Sequence, residues 1–335
     1  MDLNTITLSD FVRNAEILWL AGKDMFSAEM RGSGIIREIN IPQNTGNTRE
    51  FSEIDLEQYA KVKAEREQAK YADVQQGYSK VGTLYRVALA EAITYEMRSQ
   101  GKYLDVQQRL TNLLPTVMNR LELDLQHRFT FGTATSYTDL DGRTVDTTVG
   151  DTLALFSTAH TLRGSASTFR NRLANNPQVA RGSLEGMEKM RIENSLNQFG
   201  EKVPVSDDIL WTTDDPNTIN TVRELLQSSA EISAPNAGVV NVYRGKYKHV
   251  KLSRVATDAS GNVDSTKAKY WGLISSRRSA FYLGMHEEPR VIAPTPRGNS
   301  DDALTDDWVF NARGGWLIVI PAAGFASFSS GDGTA

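Results

Sequence analysis

The sequence predicts an α+β protein organised around one long amphipathic helix. Three observations predict it. Val106, Leu110, Leu113, Val117, Leu121, Leu125 and Phe129 recur every three or four residues between Tyr103 and Gly132, the spacing of one helix face. From Lys202 onward, short β-prone runs follow one another between turns. Before the helix, residues 35–95 carry strand-like runs on either side of a charged stretch, with almost no apolar material to form a core.

Composition bounds the rest. The chain has 335 residues, 40% hydrophobic and 23% charged, enough for two or three structural regions with a sizeable core. It has no cysteine, which excludes disulfides, thiolate metal sites and cysteine nucleophiles. His127, His160, His249 and His286 stand far apart with no HExxH pair. The net charge is −4, whereas a dedicated nucleic-acid binder shows a strongly basic balance. The first residues lack a basic stretch followed by an apolar core, and no apolar run approaches the ~20 residues that span a bilayer. The expectation is a soluble product of the cytoplasm.

Residues 1–32 read as an apolar-faced arm, with Leu8, Phe11, Val12, Ala15, Leu18 and Trp19 on one side and Ser9 or Asp10 as its cap. IIREINIP and FSEIDL are strand-like around a turn-rich QNTGNTRE. The charged EQYAKVKAEREQAKYADVQQ then reads as a solvated helix with Glu57–Lys61 and Lys61–Glu65 pairs. LYRVALAEAITYEM returns as strand. The long helix spans roughly 45 Å at ~1.5 Å per residue. Asn112, Asn119, Arg120, Glu122, Asp124 and Gln126 give it a wet face, and Pro115 a place to bend.

A polar loop after it closes on an apolar strand, Leu153–Phe156. Ser183 caps a helix lined by Leu184, Met187, Met190 and Leu196. VPVSDDILWTT is a strand. Asp214 and Asp215 before Pro216 start a helix whose inner face is Ile219, Val222, Leu225 and Leu226. NAGVVNVYRG, KHVKLSRVA, KYWGLISS, SAFYLGMH and PRVIAPTP are short β-prone runs. DDWVFNARGGWLIVIPAAGFASF supplies strong strands with a bend at Gly314 and Gly315, before a frayed SSGDGTA.

Chemistry-bearing patterns are few. There is no GxxxxGK[ST], no GxGxxG opening a helix after a strand, and no GxSxG. Ser157, Thr158 and His160 are too close along one segment to place a base opposite a nucleophile. Asp139 and Asp141 could hold a hard cation, but TDLDG reads more simply as a turn. The carboxylate pairs Asp207/Asp208, Asp214/Asp215, Asp301/Asp302 and Asp306/Asp307 fit helix starts and turns. Arg277 and Arg278 are suited to carboxylates on another chain. No catalytic, cofactor-binding or metal-binding residue is therefore assigned, and no enzyme activity is expected.

Several phrases, in order, carry a resemblance. LFSTAHTLRGSASTFRNRLA (Leu155–Ala174) resembles a phrase common in major capsid proteins of tailed bacteriophages, near the Mu-type major head subunit group, although Thr161 stands where those relatives have proline. AITYEMRSQGKY (Ala92–Tyr103) is similar to the strand leading into that family's long helix, and KVPVSDDILWTT (Lys202–Thr213) to the strand that passes into a helix with LLQSS. NAGVVNVYRG, YWGLISS and Glu287–Pro289 fall in the family's later order.

The resemblance implies the Hong Kong 97 (HK97-like) shell fold, with an N-terminal arm at 1–34 and an E-loop at 35–95. The peripheral (P) domain is expected over 96–202, including a spine helix at 103–132. The axial (A) domain takes 203–296, and 297–335 returns to the P domain and the C-terminal tail. It implies a major capsid protein of the virion, made in the host cytoplasm. Such a protein assembles with itself into pentamers and hexamers as an icosahedral shell around double-stranded DNA that it touches weakly at its inner face. Scaffolding and portal proteins, and a decoration protein where one is present, are the implied partners, with no membrane. No Lys–Asn crosslink is carried over. Two other classes stay open: a tail or sheath subunit, and a hydrolase using the 139–160 loop.

Overall fold

The computed structural model describes residues 29–42, 46–93, 100, 103–229, 240–292 and 308–333. In chain order the described elements begin with β1 (Arg37–Asn40), β2 (Thr48–Leu56), β3 (Val74–Thr83), β4 (Tyr85–Ile93) and the helix α1 (Tyr103–Thr130). Short strands β5 (Ser136–Thr138), β6 (Thr144–Asp146), β7 (His160–Thr161) and β8 (Thr168–Phe169) follow. Then come α2 (Arg181–Glu193), β9 (Ile209–Thr212), α3 (Pro216–Gln227), β10 (Lys248–Lys251), β11 (Trp271–Ile274), β12 (Tyr282–Ile292) and β13 (Trp308–Val319). The predicted arm helix at 1–28 and the carboxylates at 301–307 lie outside the described residues.

α1 is 28 residues long, ~42 Å, and runs without a break through Pro115. Leu113, Val117, Leu121, Leu125 and Phe129 are buried along one side, as the periodicity predicts. Val106 and Leu110 lie outside the described side chains. The wet face does not exist as predicted: Asn112 and Asn119 are exposed, but Arg120, Glu122, Asp124 and Gln126 are buried. They stay inside because each has a partner. Glu122 accepts the backbone N–H groups of Met30 and Arg31, both at 3.3 Å. Gln126 bonds Glu29 and accepts from the Arg254 backbone. Arg120 pairs with Asp124, Asp139 and Asp141, each at 2.9 Å. Asp124 also accepts from the Tyr85 hydroxyl and the Trp316 indole.

One flank of α1 meets a four-stranded sheet in the order β1-β12-β13-β4. β1 runs parallel to β12; the other two pairings are antiparallel. The runs SAFYLGMH and PRVIAPTP thus meet in one strand, Tyr282–Ile292, with irregularities between Met285 and Arg290 that accommodate Pro289. β13 continues through Gly314 and Gly315, where a bend was predicted. At Gly314 a Cβ would meet Trp316 at 2.8 Å and Val117 of α1 at 3.1 Å, so glycine there lets the helix and sheet approach.

A three-stranded sheet, β10-β9-β11, lies at the other end of α1. Successive residues of a strand face opposite ways. Ile209 and Trp211 of β9 therefore join the core that contains Phe129, Phe156, Phe281 and Trp316. Leu210 and Leu273 join a second core with Leu184, Met187 and Met190 of α2 and Val222, Leu225 and Leu226 of α3. α3 starts as predicted: Asp215 accepts from the Thr218 N–H at 2.9 Å, and Pro216 fills the first turn.

Other local expectations fail for identifiable reasons. Residues 57–73 form no helix; the Glu57–Lys61 pair exists at 3.1 Å, but an isolated segment with no apolar face to dock cannot repay helix nucleation. Leu153–Phe156 is a turn with one bridge from Ala154 to Thr148, because its three large and small apolar groups fill the core without strand pairing. Residues 240–247 turn rather than extend, with Asn241 bonding the end of α3 through its side chain. α2 begins two residues before Ser183, whose hydroxyl accepts from the Ala180 N–H at 2.8 Å. The terminal Ser329 and Ser330 are buried, not frayed, because Ser329 bridges Trp271 and bonds the Pro177 carbonyl.

Candidate assembly surface

β2 and β3 form a long antiparallel hairpin that leaves the body at Asn47 and returns at Leu84, where the Leu84 N–H donates to the Asn47 carbonyl. Strand alternation, shifted by a bulge in β3 opposite Glu53, gives it two unlike faces. The inner face carries Phe51, Glu53 and Asp55 from β2 and Gly77, Tyr78 and Lys80 from β3, and it rests on its own body through polar contacts. Gln198 donates its side-chain amide to Glu53 and its backbone N–H to Asp55, both at 2.9 Å. Arg163 donates to the Gly77 carbonyl at 3.1 Å, and Tyr78 bonds Thr161 at 2.9 Å. Lys80 reaches Asp146 and Thr148 at 2.5 Å, and the Gln58 N–H donates to Glu201 at 3.0 Å. Phe51 adds apolar contact: it stacks on Tyr282 at 5.0 Å and packs against Ile41, Leu317 and Val319.

Two glycines allow this seating. A Cβ at Gly77 would lie 3.1 Å from Glu53 and 3.2 Å from Gln198, and one at Gly82 only 2.1 Å from Val319. The contacts also set charge. Burial, then the neighbouring Asp55, raises the Glu53 carboxyl above its usual range. Burial alone would raise Asp146 too, but hydrogen bonds from Lys80 and Thr148 hold it below its usual range.

The outer face is the reverse. Ile54, Leu56, Val74 and Val81 project from it, and Tyr59, Val62 and Tyr71 from the loop at its tip. Leu56 is paired directly with Val74 across the ladder, and Ile54 with Gln76. These seven are half of the fourteen large apolar side chains that are exposed among the described residues, concentrated on one thin excursion. A two-stranded ribbon is marginal on its own, and large exposed apolar patches on soluble proteins mark interaction surfaces in general.

The residues weighed for chemistry are placed elsewhere and are occupied. His160 is buried and stacks on Phe169; its Nδ1 faces Asp151 at 2.8 Å and its Nε2 the Leu155 carbonyl at 3.2 Å. Both ring nitrogens meet acceptors, so neither is directed to Ser157 or Thr158 as a base. Ser157 accepts from the Ala159 N–H. Asp139 takes the backbone N–H groups of Asp141 and Arg143 and the guanidinium groups of Arg120 and Arg143. Among the described residues no group of carboxylates and imidazoles is arranged to hold a metal.

Asp207 is clasped by Arg191 at 2.7 and 3.0 Å, Asp208 accepts from Ser276, and Asp215 caps α3. Arg278 was expected to seek carboxylates on another chain; it donates to Ser195 at 2.8 Å and faces Glu53 and Asp55 of its own hairpin. Burial, then Arg191, lowers its pKa. The sequence reading missed Leu56, Val74, Tyr59 and Tyr71 as surface residues. The alternation of FSEIDL was the available signal, but it does not say which face the body covers.

No protein-family model and no curated protein matches the chain. Solved structures are similar in the course of the chain. They include the asymmetric unit of the bacteriophage PhiM1 mature capsid, 10% identical with a TM-score of 0.48 over 91% of this chain and 87% of that one. A virus-like particle from Pyrococcus furiosus is 8% identical, with a TM-score of 0.48 over 96% and 99%. A structure from Gordonia phage Cozz is 12% identical, with a TM-score of 0.46 over 88% and 84%. Among the described residues no helix is long and apolar enough to cross a membrane.

Proposed function

We propose that the chain is a structural, non-enzymatic shell subunit, a major capsid protein that assembles with copies of itself into pentamers and hexamers of an icosahedral shell around double-stranded DNA. The observation that carries this is the hairpin, which meets its own body mainly through polar groups and is apolar where it faces away. A second copy of the chain is the occupant of that outer face. Such a contact joins unlike surfaces, the kind that generates rings when its rotation closes.

In this reading 1–34 is the arm, 35–95 the E-loop, 96–202 the peripheral domain and 203–296 the axial domain, with 297–335 returning to the peripheral domain. β1 and β4 pair with β12 and β13, so the projecting part of the E-loop is the stretch from Asn47 to Leu84. α1 is the spine, with Pro115 where it follows shell curvature; Pro115→Ala shells of unchanged size and yield would remove that role. The phrase from Leu155 to Ala174 and the order of those around it, Ala92–Tyr103, Lys202–Thr213 and Glu287–Pro289, support a place near the Mu-type head subunits, which implies scaffolding and portal proteins as partners. Sedimentation velocity over a concentration series tests the proposal: a sharp step from single subunits to very large particles is expected. Subunits or dimers alone at every concentration, with and without a scaffolding partner, would sink it.

A further inference from the structure

At the root of the hairpin, β3, β6, the last turn of α1 and the end of β13 enclose a pocket of about 360 Å³. Three cations line it, Lys80, Arg128 and Arg143, with Thr83 and Thr144 at its edge and Asp146 as its carboxylate. Two of the cations are matched. Lys80 is paired with Asp146 at 2.5 Å, and Arg143 with Asp139 at 3.1 Å while its guanidinium stacks on the Tyr85 ring. Arg128 is different. One terminal nitrogen donates to the Asp146 carbonyl, a neutral acceptor, and no carboxylate pairs with it among the described residues. Its Nε is buried without a hydrogen-bond partner.

A buried donor left without an acceptor is costly and rare in native proteins. Arg128 also stands in the last turn of α1, where a cation offsets the helix dipole. That explains its charge but not its place beside two other cations. The guanidinium fork, an ammonium and threonine hydroxyls that line the pocket are a donor set for a tetrahedral oxyanion.

We propose that this pocket binds a phosphate-class oxyanion, held by Arg128 and Lys80 with Arg143 at its side. Its bound state would fasten the hairpin root to the end of α1. The chemistry suits either free phosphate or a phosphodiester of a nucleic acid.

The test uses the full soluble chain and inorganic phosphate, read by equilibrium dialysis against chloride at equal ionic strength. Saturable binding is expected, with the affinity reduced roughly tenfold or more in Arg128→Gln, the loss that follows from one charge-assisted bond. Lys80→Gln, on the hairpin, reports on the same pocket should Arg128→Gln fail to fold, and should weaken binding similarly. A duplex DNA fragment that displaces the phosphate assigns the site to a phosphodiester; phosphate that binds and is not displaced assigns it to the free anion. Phosphate retained no better than chloride overturns the proposal, as does binding unchanged in both variants.

Discussion

Replacing Ile54 and Leu56 together by aspartate should leave the isolated subunit almost untouched and disable its association. Ile54 is 64% exposed and Leu56 56% exposed in the subunit, so neither supports the core. Surface changes of this kind shift folding stability by no more than about 0.5 kcal/mol. On association the account buries the exposed share of both. Full burial of such a side chain is favourable by about 1.5–3 kcal/mol, so roughly 60% of it is about 1–2 kcal/mol each. Losing both, and placing carboxylates where no cation waits, should weaken each contact by about 3 kcal/mol or more. At 1.4 kcal/mol per factor of ten, the concentration at which large particles appear should rise on the order of 100-fold. Light scattering against concentration reads that threshold, and urea unfolding of the unassembled chain reads subunit stability. Assembly at the unmodified threshold by a folded double variant would refute the reasoning.

Four further outcomes follow from the described geometry. Burial, then Lys267 and Arg120, lowers the pKa of His127 to about 4, and its Nε2 donates to Thr257. The folded state thus prefers the neutral ring, so this stability is complete above the unfolded pKa near 6.5. It should be lost as pH falls towards about 4, by on the order of 3 kcal/mol, in urea titrations; an unchanged pH slope in His127→Asn would contradict it. Arg120→Ala leaves buried Asp124 without its paired cation, while Asp139 keeps Arg143, and should cost about 3–5 kcal/mol in chemical unfolding; Asp141→Asn at the exposed end costs under about 1 kcal/mol. Gly186→Ala places a methyl group in open space inside α2 and should stabilise by about 0.5–1 kcal/mol in thermal melts. Gly82→Ala drives a Cβ to 2.1 Å from Val319 and should loosen the hairpin root, seen as faster hydrogen exchange through β3.

Much of the fold is legible where one segment contains its own explanation. The α1 face from Leu113 to Phe129, the Asp215–Pro216 start of α3 and the strands at β9, β11 and β13 depend on local periodicity and caps, and they form, with β9 shorter than read and β13 continuous through its glycines. What fails depends on partners remote in the chain. Glu122, Asp124 and Gln126 look like a solvent face because nothing near them shows that Met30, Arg31, Tyr85, Arg254 and Trp316 will arrive to satisfy them. The charged stretch from Glu57 has helical spacing but no surface to lie on, so pair energies of a few tenths of a kcal/mol do not hold it. The candidate surface was half legible. A nearly coreless excursion could be read directly, but its orientation rests on Gln198, Arg163 and Asp146 meeting the polar face of the hairpin.

Electron microscopy of the purified, concentrated full chain tests self-assembly most directly. The account predicts closed shells of uniform diameter with fivefold and sixfold clusters of subunits, lost in the Ile54→Asp, Leu56→Asp variant. Fields of single subunits under every condition, or open helical tubes in place of closed shells, would contradict it.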